Sequence, residues 1–137
     1  MSLFVDTSAW YATVDHSDRS NGRAKEILSS GENLVTTDHV LAETWSLIRY
    51  RIHRNASEKF WEGLRSGISR IEIVGTADLE AAWDIGRWYQ DQDFSLVDRT
   101  SFAVMRRLGI LRVATFDDDF AIFRFGHNRR GAFTVLR

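Results

Sequence analysis

The sequence predicts an α/β fold in which a parallel sheet is covered by helices on both faces. Two observations support this. Short apolar runs, typical of buried strands, alternate along all 137 residues with longer segments whose apolar residues recur at helical spacing. No internal repeat, low-complexity segment or linker divides the chain, so we expect one domain spanning 1–137.

Five apolar runs are short enough to be buried strands. They are residues 3–5, 33–36, 71–74, 111–116 and 132–136. The predicted helices cover about 9–12, 20–30, 38–53, 57–64, 76–89 and 95–109, with a short helix or turn at 120–125 and a basic loop at 126–131. Ser57 and Thr76 can begin two of these helices, and Gly31 and Gly109 can end two others.

The helix at 38–53 carries an acid on an otherwise apolar row. Thr37 or Asp38 caps its start. Its core positions recur at helical spacing and are Leu41, Trp45, Ile48 and Ile52. On the neighbouring row Glu43 lies between Val40 and Leu47. Glu43 is therefore either a functional acid or a good helix former that extends to solvent.

The helix at 95–109 has an acid in its first turn. Ser95 and Asp98 have the spacing of a capping box, and Gly109 lies where the helix should end. Asp98 falls on or next to the apolar face, where a lone carboxylate is poorly placed without a cationic partner. The alternative is an acid that only complements the helix dipole.

Composition excludes several classes of protein. The chain has no cysteine, so disulfides and thiolate chemistry are absent. It has neither an apolar run long enough to span a bilayer nor a signal-peptide pattern, so we expect a cytoplasmic protein with no membrane partner. The net charge is −1, but residues 99–137 carry 8 arginines against 3 acids. Arginine suits phosphate contacts, although its abundance can equally reflect genome composition.

Four acids lie where a parallel sheet could bring them together. Asp6 and Asp117 end predicted strands, and Glu43 and Asp98 lie on helices that begin near such ends. Close carboxylates repel each other, so the pocket would need cations, protonation or hydrogen-bond donors. The all-oxygen set favours Mg²⁺ or Mn²⁺ over zinc, and such ions suit phosphoryl transfer. Asp6, like Ser8, can alternatively serve only as a helix cap.

Four segments carry a family resemblance that spans residues 3–120. They are Val5-Asp6-Thr7-Ser8-Ala9-Trp10, Leu41-Ala42-Glu43-Thr44, Phe94-Ser95-Leu96-Val97-Asp98 and Ala114-Thr115-Phe116-Asp117-Asp118-Asp119-Phe120. In this order they resemble a PIN domain, and within that family a VapC-type toxin ribonuclease. The resemblance implies a five-stranded parallel sheet sandwiched by helices and metal-dependent cleavage of RNA by an activated water.

The resemblance also implies roles for individual residues. Asp6 and Asp98 would be the main ligands of Mg²⁺ or Mn²⁺, with Glu43 and Asp117 completing the catalytic pocket. Asp119 matches a further acidic position of some members, and Ser8 or Thr7 would offer a hydroxyl near the first acid. A homodimer and a VapB-like antitoxin partner are implied as well.

Other interpretations remain open at this stage. Asp6 could be the nucleophile of a Mg²⁺-dependent phosphatase, although no second acid follows two residues later. The chain could be a non-catalytic RNA-binding or regulatory module, or a metal-free ribonuclease that uses histidines. Arg129 and Arg130 could bind substrate phosphates or form a solvated turn. Trp83, Trp88 and Tyr89 could form an exposed dimer patch, although most tryptophans are expected in the core or an interface.

Overall fold

The computed structural model describes every residue from Met1 to Arg137 and contains one five-stranded sheet. Its strands are β1 (Ser2–Val5), β2 (Asn33–Thr37), β3 (Arg70–Glu72), β4 (Arg112–Ala114) and β5 (Thr134–Leu136). Their order is β3-β2-β1-β4-β5, and all four pairings are parallel. The predicted five-stranded parallel sheet is confirmed.

Seven α-helices connect and cover the strands. They are α1 (Thr7–Val14), α2 (Asn21–Leu28), α3 (Asp38–Arg51), α4 (Arg54–Gly63), α5 (Thr76–Trp88), α6 (Leu96–Leu108) and α7 (Asp119–Ile122). A π-helical turn at Leu64–Ile68 follows α4, and a 3-10 turn at His127–Arg129 precedes β5. No helix has the length and apolar character that crossing a membrane requires.

Several element boundaries differ from the sequence prediction, among them the ends of β4 and β5. In two cases a side chain with an unexpected partner explains the difference. Helix α4 begins at Arg54 rather than at Ser57, since the His53 imidazole accepts a hydrogen bond from the Ala56 N–H (3.1 Å) and caps the helix earlier. Strand β3 ends at Glu72 rather than at Val74, because the Val74 N–H is bound to the Asp38 carboxylate (2.8 Å).

The core surrounds the central strand β1 and the buried face of α6. Leu3, Phe4 and Val5 are fully buried, as expected of a strand covered on both faces. Phe102 of α6 is also fully buried, and its ring stacks on that of Phe123 with 4.4 Å between centroids. Further rings near Phe102 belong to Phe94, Phe120 and Phe133. This aromatic packing fixes α6 against the sheet.

The helix starts place functional groups at the carboxyl edge of the sheet. Helix α1 begins two residues after the end of β1, and α3 begins directly after β2. The Thr37 hydroxyl caps α3 by accepting the Val40 N–H at 3.0 Å. The ends of parallel strands share one edge, which makes this edge the natural place to look for a site.

Candidate active site

Two aspartates from distant parts of the chain are buried at the carboxyl edge. Asp6 follows β1 and is 1% exposed, and Asp98 in the first turn of α6 is 8% exposed. Asp6 occupies the N-cap position of α1 but makes no side-chain capping hydrogen bond. The interpretation of Asp6 as only a helix cap is therefore not supported by its contacts.

Hydroxyl groups hold the Asp6 carboxylate. Thr115 Oγ1 donates to Asp6 Oδ2 at 2.9 Å, and Ser8 Oγ lies 3.4 Å from the same oxygen. Main-chain N–H groups orient both hydroxyls: Phe116 donates to Ser8 Oγ at 2.9 Å, and Asp117 donates to Thr115 Oγ1 at 3.1 Å. The loop after β4 is thereby tied to the start of α1.

Sequence reasoning did not select Thr115 as a site residue, although its position carried a signal. Thr115 is fully buried and immediately follows β4, as Asp6 immediately follows the neighbouring strand β1. The Asp6 N–H extends this pairing by donating to the Ala114 carbonyl at 3.1 Å. The sequence signal for Thr115 was therefore a residue with a hydroxyl group at the end of the strand that pairs with β1.

Asp98 combines the predicted capping box with a position facing other acids. Its N–H donates to Ser95 Oγ at 3.0 Å, and its Oδ2 accepts the Ser95 N–H at 3.3 Å, which confirms the predicted box. Burial is the main reason that the pKa of Asp98 is raised to about 8, and the adjacent Asp119 carboxyl and the charge of Asp6 act in the same direction. Asp98 is thus not simply an acid that complements the helix dipole.

The pKa of Asp6 is raised as well, to about 7. Burial is the main cause, because it disfavours the charged form. The main chain of Thr7 and the Thr115 hydroxyl oppose the shift, and the charges of Asp117 and Glu43 add to it. Both buried aspartates therefore lack the positive charge that would stabilise their ionised form.

The remaining predicted acids lie nearer to solvent. Glu43 and Asp117 are exposed and line a groove of about 730 Å³, together with Thr7 and Ser8. Asp119, at the start of α7, is half-buried. The pKa of Asp117 is raised by partial burial and by the neighbouring charge of Asp119. The structure thus brings the five predicted acids and both predicted hydroxyl residues to one region.

The acids do not form a ready-made cage for a metal ion. No three acidic or histidine side chains are grouped closely enough to enclose one. Mg²⁺ does not need such a cage, since it is usually bound through one or two carboxylates and keeps several waters. Two buried carboxylates whose ionised forms lack compensating charge, with hydroxyls beside them, fit an ion of this kind.

Arg129 and Arg130 do not line the groove that contains Glu43 and Asp117. The Arg129 guanidinium instead lies 4.6 Å from the centroid of the Tyr89 ring, beside a second cavity of about 570 Å³. Tyr89 is buried, so it is not part of an exposed patch. Trp83 and Trp88 are each 63% exposed, whereas Trp10 is in the core.

Three of the eight arginines of the C-terminal third form ion pairs. Arg107 binds both Asp78 (2.9 Å) and Glu72 (3.0 Å). Two further ion pairs are Arg112 with Glu32 and Arg137 with Asp118. These arginines hold elements of the fold together, which leaves fewer of them to attract a polyanion than the charge count indicates.

The parallel sheet has buried aspartates at its carboxyl edge, and further acids lie in the loop after β4. Together these features define a class of protein. A model of the PIN domain matches residues 3–126. The chain belongs to the PIN domain family.

Two curated relatives indicate where in the family it lies. The 23S rRNA-specific endonuclease VapC20 of Mycobacterium tuberculosis is 41% identical over 125 residues, which cover 90% of this chain and 95% of that protein. Ribonuclease VapC26 of the same organism is 28% identical over 116 residues, which cover 84% of this chain and 86% of that protein.

Solved structures agree with this placement. The crystal structure of M. tuberculosis VapC20, described as a sarcin–ricin loop cleaving toxin, matches with a TM-score of 0.83 and 37% identity over 87% of this chain and 92% of that one. VapBC2 from Rickettsia felis, bound to a promoter DNA fragment, shares the fold with a TM-score of 0.60 and 11% identity over 86% and 89% of the two chains. The predicted membership of the VapC-type ribonuclease toxins is confirmed.

Proposed function

We propose that this ribonuclease cleaves ribosomal RNA in the cytoplasm and depends on Mg²⁺ or Mn²⁺. The substrate class follows from the similarity to VapC20, whose name specifies 23S rRNA. The ion follows from the all-oxygen donor set at the carboxyl edge.

One observation carries this proposal: Asp6 and Asp98 are both buried, and the charge of Asp6 raises the pKa of Asp98. Two buried acids without a cationic side chain destabilise the fold when ionised. A bound divalent cation would reverse that effect, because it supplies the missing positive charge. We therefore assign the pair a binding role.

The proposed roles of the residues follow from their positions. Asp6 and Asp98 would hold the ion, and Glu43 and Asp117 would complete the pocket from the groove side, with Asp119 next to Asp98. When bound, a divalent cation lowers the pKa of a water and stabilises charge on a phosphoryl oxygen.

The hydroxyl residues have a positioning role in this proposal. Thr115 and Ser8 orient the Asp6 carboxylate through the hydrogen bonds described above. Thr7, whose buried hydroxyl has no partner in the protein, has a donor and an acceptor free for a ligand. We also retain Arg129 and Arg130 as proposed phosphate contacts for RNA that extends beyond the groove.

The test is cleavage of a synthetic sarcin–ricin stem-loop and of total ribosomal RNA, with Mg²⁺, with Mn²⁺ and with chelator. The parent protein should cut only with metal and leave 5′-phosphate ends, and Asp98→Asn should abolish cutting. The amide oxygen of the asparagine side chain can still accept the Ser95 N–H, so the helix start should persist. Asp84→Asn, which replaces an exposed acid on α5, is the matched control and should cut normally.

Other outcomes would favour other interpretations. Cutting that is indifferent to chelator would overturn the metal site and favour a histidine mechanism. Hydrolysis of p-nitrophenyl phosphate without RNA cleavage would favour the phosphatase interpretation. RNA binding by the parent without cleavage under any metal condition would favour a non-catalytic module.

We further propose a VapB-like antitoxin partner and a homodimer. The antitoxin is supported by the VapC-type relatives and by the shared fold of VapBC2. Light scattering of the purified chain alone tests the dimer. Purification of the chain together with the product of an adjacent gene tests the antitoxin, which should suppress RNA cleavage.

A further inference from the structure

The groove at the acidic site extends well beyond the carboxylates. From Glu43 its lining continues along one face of α3 through Leu47 to Tyr50 and Arg51. These positions are spaced four, seven and eight residues from Glu43, so they share a helix face. At 1.5 Å per residue, Tyr50 lies about 10 Å along the helix axis from Glu43. We refer to the part of the groove beyond Leu47 as the α3 arm.

Tyr50 is an unusual residue at the end of this arm. Its side chain is 87% exposed, more than any other aromatic residue of the chain. The other tyrosine of the groove, Tyr11, is buried, donates its hydroxyl to Asp15 at 2.6 Å and lies under the Arg51 guanidinium. The ring of Tyr50 therefore remains free beside the groove, where a flat partner can reach it.

The α3 arm also carries positive charge without ion-pair partners. Arg51 lies 5.2 Å from the centroid of the Tyr11 ring, and neither Arg51 nor Arg19, which also lines the groove, forms a salt bridge. Two acids lie near these arginines, and both are hydrogen-bonded within the chain: Asp18 accepts the Ser20 N–H at 2.8 Å, and Asp15 accepts the Tyr11 hydroxyl at 2.6 Å. The groove thus has carboxylates at one end and, at the arm, Arg51 without an ion-pair partner, with Arg19 also in its lining.

We propose that the α3 arm binds a single-stranded segment of the RNA beside the cleaved bond, with a base stacked on Tyr50 and phosphates at Arg51 and Arg19. This assignment rests on the proposed function, because it takes the carboxylate end of the groove as the cleavage site. An exposed aromatic ring next to arginines is the arrangement by which proteins bind single strands. Stacking requires an unpaired base, so a looped or unwound segment is the form of RNA that fits.

The experiment measures binding of a fluorescein-labelled sarcin–ricin RNA stem-loop by anisotropy, in the Asp98→Asn background so that the RNA remains intact. Tyr50→Leu should raise the Kd by between about fivefold and a hundredfold, the range that loss of one stacked base produces. Tyr50→Trp keeps an aromatic surface and should retain tight binding. Circular dichroism should show the same fold for all variants, because Tyr50 contributes nothing to the core.

The phosphate contacts are tested by the salt dependence of binding. Arg51→Gln should reduce the slope of log K against log salt by about 0.7, the value for one contact to a single strand. Arg49→Gln is the matched control. Arg49 is exposed on the same helical turn but does not line the groove. The slope of log K against log salt for Arg49→Gln should therefore equal that of the parent.

The outcomes separate this proposal from the proposed function. If the parent cuts RNA and Tyr50→Leu binds it equally well, the α3 arm is not an RNA subsite, although the nuclease assignment stands. If Tyr50→Leu changes the molar mass in solution, the arm is an interface between copies of the chain and the subsite is overturned. If the parent neither cuts nor binds the RNA, both proposals fail.

Discussion

Replacing Asp6 by asparagine should stabilise the metal-free protein at alkaline pH. Asparagine has the same shape and can still accept the Thr115 hydroxyl, but it carries no charge. The pKa of Asp6 is raised from an ordinary value of 3.8 to about 7. Between these values the folded state holds a proton that the unfolded state has released, so stability falls as pH rises.

The size of the effect follows from the width of that interval. One pKa unit corresponds to 1.36 kcal/mol, so ionised Asp6 lowers the free energy of unfolding by up to about 4 kcal/mol above pH 7. For a chain of 137 residues, this equals a melting-temperature difference of up to about 14 °C. The melting temperature of Asp6→Asn should exceed that of the parent by up to this amount at pH 8 and by almost nothing near pH 4.

The assay is thermal unfolding of the parent and Asp6→Asn in chelator, from pH 4 to 8.5, with Asp84→Asn as the control for loss of an exposed acid. Adding Mg²⁺ should stabilise the parent more than Asp6→Asn, because the parent retains the full set of carboxylates. A melting-temperature difference that stays constant across this pH range would refute the argument, since it could not arise from ionisation of Asp6.

Three further predictions concern the site, an ion-pair network and the core. Thr115→Val, which removes the hydroxyl that holds Asp6, should leave the fold intact but lower both RNA cleavage and Mg²⁺ affinity, the latter measured by calorimetry. Arg107→Met should lower the free energy of unfolding in urea by about 1–3 kcal/mol at pH 7 because it leaves Asp78 buried without its cation. The Arg107 guanidinium lowers the pKa of Asp78, so that loss should persist at neutral pH and disappear as acid protonates the carboxyl. Phe102→Ala should cost about 3–5 kcal/mol in the same urea assay, since it empties the centre of the aromatic packing.

The strands and the buried acids were predictable because their signals are local. A continuous apolar run such as 3–5 identifies a strand covered on both faces, and an acid directly after it must lie at the end of that strand. The capping box of Ser95 and Asp98 is likewise contained within four residues. Parallel topology then brings the strand ends together without knowledge of any particular contact.

Features that depend on long-range contacts were not predictable in the same way. The role of Thr115 arises from a hydrogen bond to a residue 109 positions away. The charge count overstated the free positive charge of the C-terminal third, because pairs such as Arg107–Asp78 and Arg112–Glu32 form only in the folded chain. Conversely, the exposure of the Tyr50 ring depends on which face of α3 lines the groove. The packing of α3 against the rest of the fold determines that face.

The central position of β1 affects when the enzyme can become active during its synthesis. This strand is made first, but one of its two neighbours, β4, begins only at Arg112, and Phe4 pairs with Val113. The hydroxyl that holds Asp6 comes from Thr115. A nascent chain therefore cannot assemble the carboxylate pocket until the residues up to Thr115 have left the ribosome. Such late, non-local pairing also slows folding, so under the proposed roles of Asp6 and Asp98 the site stays incomplete until β4 has been made and has paired with β1.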